Sequence, residues 1–200
     1  MVNRLTIGVI GIQGAISEHV KTMKDALDHE KIPGKVFILN DIKDFETADA
    51  IILPGGESTT ISKALYSSRL YDAIFNKIKN ESLPIFGTCA GCVLLASKLS
   101  VEDKDVRLLS AMDMKVKRNA FGRQRESFEC ELEIKGFSEP YNAVFIRAPA
   151  IENVWGDCEV LAKLNGNIVL AKQKKFLALS FHPELTNDLR IHRLFLDMIL

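Results

Sequence analysis

The chain has 200 residues, with 26 Lys plus Arg against 26 Asp plus Glu and a formal net charge of 0. At about 150 residues per domain this suits a single domain spanning 1–200, and a neutral chain is a poor candidate for polyanion binding through a basic field. With 47% apolar and 26% charged residues, the mix is that of a soluble globular protein. Four cysteines in such a chain suggest no disulfide scaffold and fit a reducing cytoplasm.

Leu5–Ile12 is a short, nearly all-apolar run and predicts a strand buried on both faces. It contains two glycines and runs into a polar helical pattern, which argues against a signal peptide. Ser17–Glu30 predicts a helix with Val20, Met23 and Leu27 on its inner face. Lys35–Leu39 and Ala50–Leu53 predict two further strands, the second stopped by Pro54-Gly55-Gly56. Helices are expected over Thr59–Tyr66 and Leu70–Asn80, then a buried strand Pro84–Gly87 and a helix Ala90–Leu99. The uncharged stretch Ser82–Ser97 is too short and too broken by Pro84, Gly87 and Gly91 to cross a membrane.

The period then changes. Phe128, Cys130, Leu132 and Ile134 alternate with glutamates, and Met112, Met114 and Val116 with charged residues, the pattern of half-solvated antiparallel strands. Cys158–Leu164 and Ile168–Gln173 flank Asn165-Gly166, a type I′ hairpin signal. A strand Phe176–Phe181 and a helix Leu189–Leu200 close the chain, the helix striped by Ile191, Leu194, Phe195, Met198 and Ile199. The expected fold is α/β, a three-layer, mostly parallel sheet flanked by helices with an antiparallel extension.

Gly87-Thr88-Cys89-Ala90-Gly91 joins a buried strand to an apolar helix, the pattern of a nucleophile elbow with cysteine as nucleophile. A helix N-terminus favours a thiolate, and the Ala90 amide is aimed where an oxyanion would form. Cys92 makes Cys89-Ala90-Gly91-Cys92 a C-x-x-C, which admits a redox dithiol. A zinc site would need a second such pair, and Cys130 and Cys158 stand alone, so no metal is expected. His182-Pro183-Glu184 follows the last strand. In extended backbone His182 and Glu184 would point the same way and pair, completing a Cys–His–carboxylate set. His19, His29 and His192 are expected to be solvated helical histidines.

Gly8–Gly14 (GVIGIQG), Leu53–Thr60 (LPGGESTT), Phe86–Gly91 (FGTCAG), Arg118–Ser127 (RNAFGRQRES), Phe145–Pro149 (FIRAP) and Ser180–Leu185 (SFHPEL) together resemble the class I (triad) glutamine amidotransferases. Within that family the chain is most similar to the glutaminase subunits of pyridoxal 5′-phosphate synthase. The resemblance implies a flavodoxin-like fold and hydrolysis of L-glutamine, with Cys89 as nucleophile, His182 as base and Glu184 as its orienter. It implies an oxyanion hole from the backbone of Gly56 and Ala90, and glutamine held by Gly56, Glu57, Ser58, Arg118, Ile146 and Arg147. It places Gln13-Gly14 where the family meets its partner, a synthase subunit that is a (β/α)₈ barrel oligomer, and implies no cofactor, no nucleic acid and no membrane. A glutaminase of histidine biosynthesis is the alternative within the same chemistry, and the GGESTT and FIRAP segments weigh against it. Ala150 and Cys92 depart from the residues usual at their positions.

Overall fold

The structure is a computed structural model describing residues 4–80, 83–121 and 127–200. The elements in chain order are β1 (Leu5–Ile10), α1 (Ile16–His29), β2 (Gly34–Leu39), α2 (Ile42–Glu46), β3 (Ala50–Leu53), α3 (Ser58–Ser67), α4 (Leu70–Lys79), β4 (Ile85–Thr88), α5 (Ala90–Leu95) and β5 (Ala96–Leu99). There follow β6 (Met112–Lys117), β7 (Ser127–Leu132), β8 (Tyr141–Ile146), β9 (Ala150–Val154), β10 (Glu159–Leu164), β11 (Asn167–Gln173), β12 (Phe176–Leu179), a 3-10 turn Pro183–Leu185 and α6 (Arg190–Ile199).

The main sheet runs β2-β1-β3-β4-β12-β11-β9-β6-β5, with β10 hydrogen-bonded to β11. Its first five strands are mutually parallel. The extension is antiparallel through β12–β11, β11–β9 and β9–β6. Helices cover both faces, and so β3 has no polar residue. Ile51 and Leu53 face the layer with α3, α4 and α5, while Ile52 faces the one with α1 and α6. This is the expected α/β architecture.

Three expectations need correction. The predicted helix Ala90–Leu99 ends at Leu95. Ala96 turns extended, and Ala96–Leu99 becomes an edge strand parallel to β6, where the Ser97 hydroxyl donates to the Met112 carbonyl at 2.7 Å. The apolar run Val93–Ala96 suits helix or strand alike, and the free edge of β6 decides. The alternating segment at Phe128 leaves the main sheet and pairs with β8 in a separate two-stranded ribbon. His19 and His192 are not solvated; both are fully buried, on the inner faces of α1 and α6. The Asn165-Gly166 turn behaves as expected, with φ of 49° and 81°, the two left-handed positions of a type I′ hairpin.

Candidate active site

The C-terminal ends of the parallel strands meet at one cleft, where open α/β sheets bind ligands. β4 delivers Cys89 in a left-handed conformation, φ 49° and ψ −101°, directly before α5. Such backbone is strained for a residue with a Cβ and persists only when its surroundings enforce it. They do so through two glycines. A methyl at Gly87 would lie 2.7 Å from the Gly91 backbone, and one at Gly91 would collide with the Leu53 carbonyl oxygen. Strand, turn and helix therefore pack too closely for any larger residue on either side of Cys89. The Ala90 amide is in the first turn of α5, where helices leave N–H groups without intrahelical partners.

His182 stands opposite Cys89. A methyl at Gly55 would lie 3.2 Å from His182 Nδ1 and 3.3 Å from the Cys89 Cβ, so Gly55 keeps the two side chains adjacent. The Cys89 thiol also donates to the Ile146 carbonyl at 3.8 Å. His182 Nδ1 pairs with Glu184 Oε1 at 2.7 Å. The route to that pair differs from the expectation: Pro183–Leu185 is a 3-10 turn rather than extended backbone, and it folds the Glu184 carboxylate back under the ring. Burial opposes a charge on His182, but its interactions with Cys89 and Glu184 outweigh that cost and raise its pKa to about 10. Burial likewise pushes against a charged Glu184, while His19 and His182 hold its pKa below the usual value.

The cleft has a volume of about 580 Å³. Gly56, Glu57, Ser58, Cys89, Ala90, Arg118, Ile146, Arg147 and His182 line it, and Glu184 lies buried behind His182. Arg147 has φ 43° at the turn after β8. Arg118 pairs with Asp103, with Glu57 Oε1 at 3.3 Å and with Thr59 Oγ1 at 3.5 Å, which anchors its guanidinium at the cleft. The Glu57 carboxylate caps α3, accepting from Thr60 N at 2.7 Å and Thr59 N at 3.1 Å. Burial acts against its charge, but the Thr60 and Thr59 donors prevail and lower its pKa to about 2. Gln13 Oε1 accepts from the Glu57 amide at 2.9 Å, so the turn after β1 is tied directly to the glycine turn. Residues 122–126 of the Arg118–Ser127 motif lie outside the described residues.

Cys92, 3 residues past Cys89, is fully buried, and burial pushes its thiol far above the ordinary value. All four cysteines are free. Among the described residues no group of His, Cys, Asp or Glu could hold a metal ion, and no helix is long and apolar enough to cross a membrane.

Sequence reasoning missed His19. Its Nε2 is 3.4 Å from Glu184 Oε2 and 3.1 Å from Thr88 Oγ1. The signal was present, because residues 19, 22, 23, 26 and 27 form the buried stripe of α1. A histidine on that stripe has to face the sheet.

A family model described as the SNO glutamine amidotransferase family matches residues 9–200. The pyridoxal 5′-phosphate synthase subunit PdxT of Archaeoglobus fulgidus is 48% identical over 196 residues, 97% of this chain and 98% of the relative. That of Actinobacillus pleuropneumoniae serotype 3 is 45% identical over 98% of this chain and 96% of the relative. A crystal structure described as a glutamine amidotransferase superposes with a TM-score of 0.85 at 42% identity, covering 96% of this chain and 98% of that one. A second glutamine amidotransferase, from Thermotoga maritima, shares the fold at a TM-score of 0.64 and 14% identity, covering 95% and 80% of the two chains.

Proposed function

The chain belongs to the SNO glutamine amidotransferase family, and from that premise we propose how its residues carry out the family's chemistry. It is a glutaminase subunit of pyridoxal 5′-phosphate synthase, acting on L-glutamine beside a synthase subunit. In our reading His182, whose pKa is raised beside Cys89 and Glu184, already holds the proton drawn from the thiol when Cys89 Sγ attacks the side-chain amide carbon of glutamine. His182 gives that proton to the departing nitrogen, the C–N bond breaks, and ammonia leaves while a γ-glutamyl thioester stays on Cys89. His182 then takes a proton from water as the water attacks the thioester. Glutamate leaves, and the proton returns to the sulfur. Glu184 holds the His182 ring with Nδ1 as donor, so Nε2 serves as the base.

The amides of Gly56 and Ala90 would receive the oxyanion. The turn Gly56–Glu57–Ser58, with Ile146 and Arg147, would cradle the amino acid, and Arg118 would meet its α-carboxylate with a guanidinium fork. One observation carries this reading: a strained cysteine at a helix start faces a buried His–Glu pair across a cleft of substrate size. Ammonia used for synthesis must stay unprotonated, so we infer direct transfer to the partner, which the resemblance makes a (β/α)₈ barrel oligomer. We take the 200 residues as one catalytic domain working in the cytoplasm, a setting that four free cysteines suit.

The test is release of glutamate from glutamine, with and without the synthase subunit. Cys89→Ala should abolish it while leaving the circular dichroism spectrum unchanged. Turnover retained by the purified variant would overturn the triad.

A further inference from the structure

Glu184 spends Oε1 on His182 Nδ1 at 2.7 Å, which leaves Oε2 facing inward, buried. A carboxylate oxygen only accepts, and leaving it dry is costly. The group that stands before it is His19, 0% exposed, with Nε2 at 3.4 Å. The same nitrogen lies 3.1 Å from Thr88 Oγ1, and the other, Nδ1, has no hydrogen-bond partner among the described residues. If Nε2 were bare, two lone-pair centres would face each other in a site without solvent, and the one ring proton would point at nothing. With the proton on Nε2, Thr88 Oγ1 lies 3.1 Å from that nitrogen, and Glu184 Oε2, which has no hydrogen-bond partner among the described residues, stands 3.4 Å from it. Burial drives the His19 pKa below its ordinary value although Glu184 pulls it upward, so the ring is a neutral donor.

We propose that His19 is a positioning residue that donates through Nε2 to the second oxygen of Glu184 and thereby fixes the carboxylate that orients His182. The inference rests on the roles given above to Cys89, His182 and Glu184. The contact unites three segments remote in sequence: α1, the end of β4 one residue before the nucleophile, and the 3-10 turn. The His19 ring is itself held edge-on to Phe86, with centroids 6.0 Å apart. It touches none of the reacting atoms and acts only through the plane of Glu184.

Glutamine and asparagine separate this role from packing. A glutamine amide reaches about as far as Nε2 and an asparagine amide only as far as Nδ1. In the complex with the synthase subunit, His19→Asn should lower kcat for glutamine hydrolysis about tenfold to a hundredfold with KM within about twofold, the loss of one hydrogen bond to a charged group. His19→Gln should restore kcat to within about threefold of the parent. In the unsubstituted protein, ring ¹⁵N shifts should show His19 neutral and protonated on Nε2 at neutral pH, a measurement independent of whether either variant folds. A folded His19→Asn with full kcat, an effect on KM alone, or a ring protonated on Nδ1 would each overturn the proposal. Cys89→Ala keeps the two readings apart. If it is inactive while His19→Asn is fully active, the positioning role alone falls; if it is active, the triad falls as well.

Discussion

His192 offers a stability prediction whose sign depends on pH. The ring is 0% exposed, and neither nitrogen has a hydrogen-bond partner among the described residues. It packs edge-on against Phe86 at 5.4 Å and lies 6.1 Å from the His19 ring. A buried polar group left unpaired costs about 1–3 kcal/mol, and leucine of similar volume removes that cost. His192→Leu should therefore be more stable by about that amount at pH 8, or roughly 2–10 °C in Tm for a chain of this size. Burial, with a smaller contribution from His19, holds the His192 pKa well below 6.5. The unfolded chain then binds a proton that the folded chain refuses, and the parent loses stability as pH falls below 6.5. That loss grows as the pH falls further below 6.5, and the leucine variant is spared it. Urea unfolding of parent and variant at pH 8 and at a pH below 6.5 measures both effects. The advantage of the variant must widen on acidification. An advantage equal at both pH values, or a variant less stable at both, would show that the buried ring is satisfied or charged and would refute the reasoning.

Two predictions concern the site itself. Gly91→Ala would drive a methyl into the Leu53 carbonyl and should cost about 3 kcal/mol or more while displacing Cys89, read as a lowered Tm together with lost turnover. A variant of parental Tm and rate would show that the elbow does not depend on this contact. Arg118→Met keeps the length of the side chain and removes the fork, so KM for glutamine should rise about tenfold to a hundredfold with a smaller change in kcat. An unchanged KM would reassign Arg118 to anchoring Asp103 and Glu57 alone.

Much of this protein was legible from local pattern. Runs such as Ala50–Leu53, apolar at every position, announce a strand buried on both faces, and the structure gives that strand these bounds. Gly87-x-Cys89-x-Gly91 and His182-x-Glu184 mark candidates for a nucleophile and a base, because such chemistry demands particular residue types at fixed spacing, and the structure brings these residues to one cleft. What local pattern could not supply depended on contacts between distant segments. Ala96–Leu99 is a strand because β6 offers an open edge, and its own residues would serve a helix equally well. Arg118 reads as an exposed cation until Asp103 and Glu57 are brought to it. The composition of a helix states how many apolar positions it has, but not what stands beneath each one. For that reason two histidines that read as solvated lie in the core. Packing α1 against the sheet turned His19 from an ordinary helical residue into the neighbour of Glu184, because only the tertiary fold could place it 3.4 Å from a buried carboxylate 165 residues away in the chain.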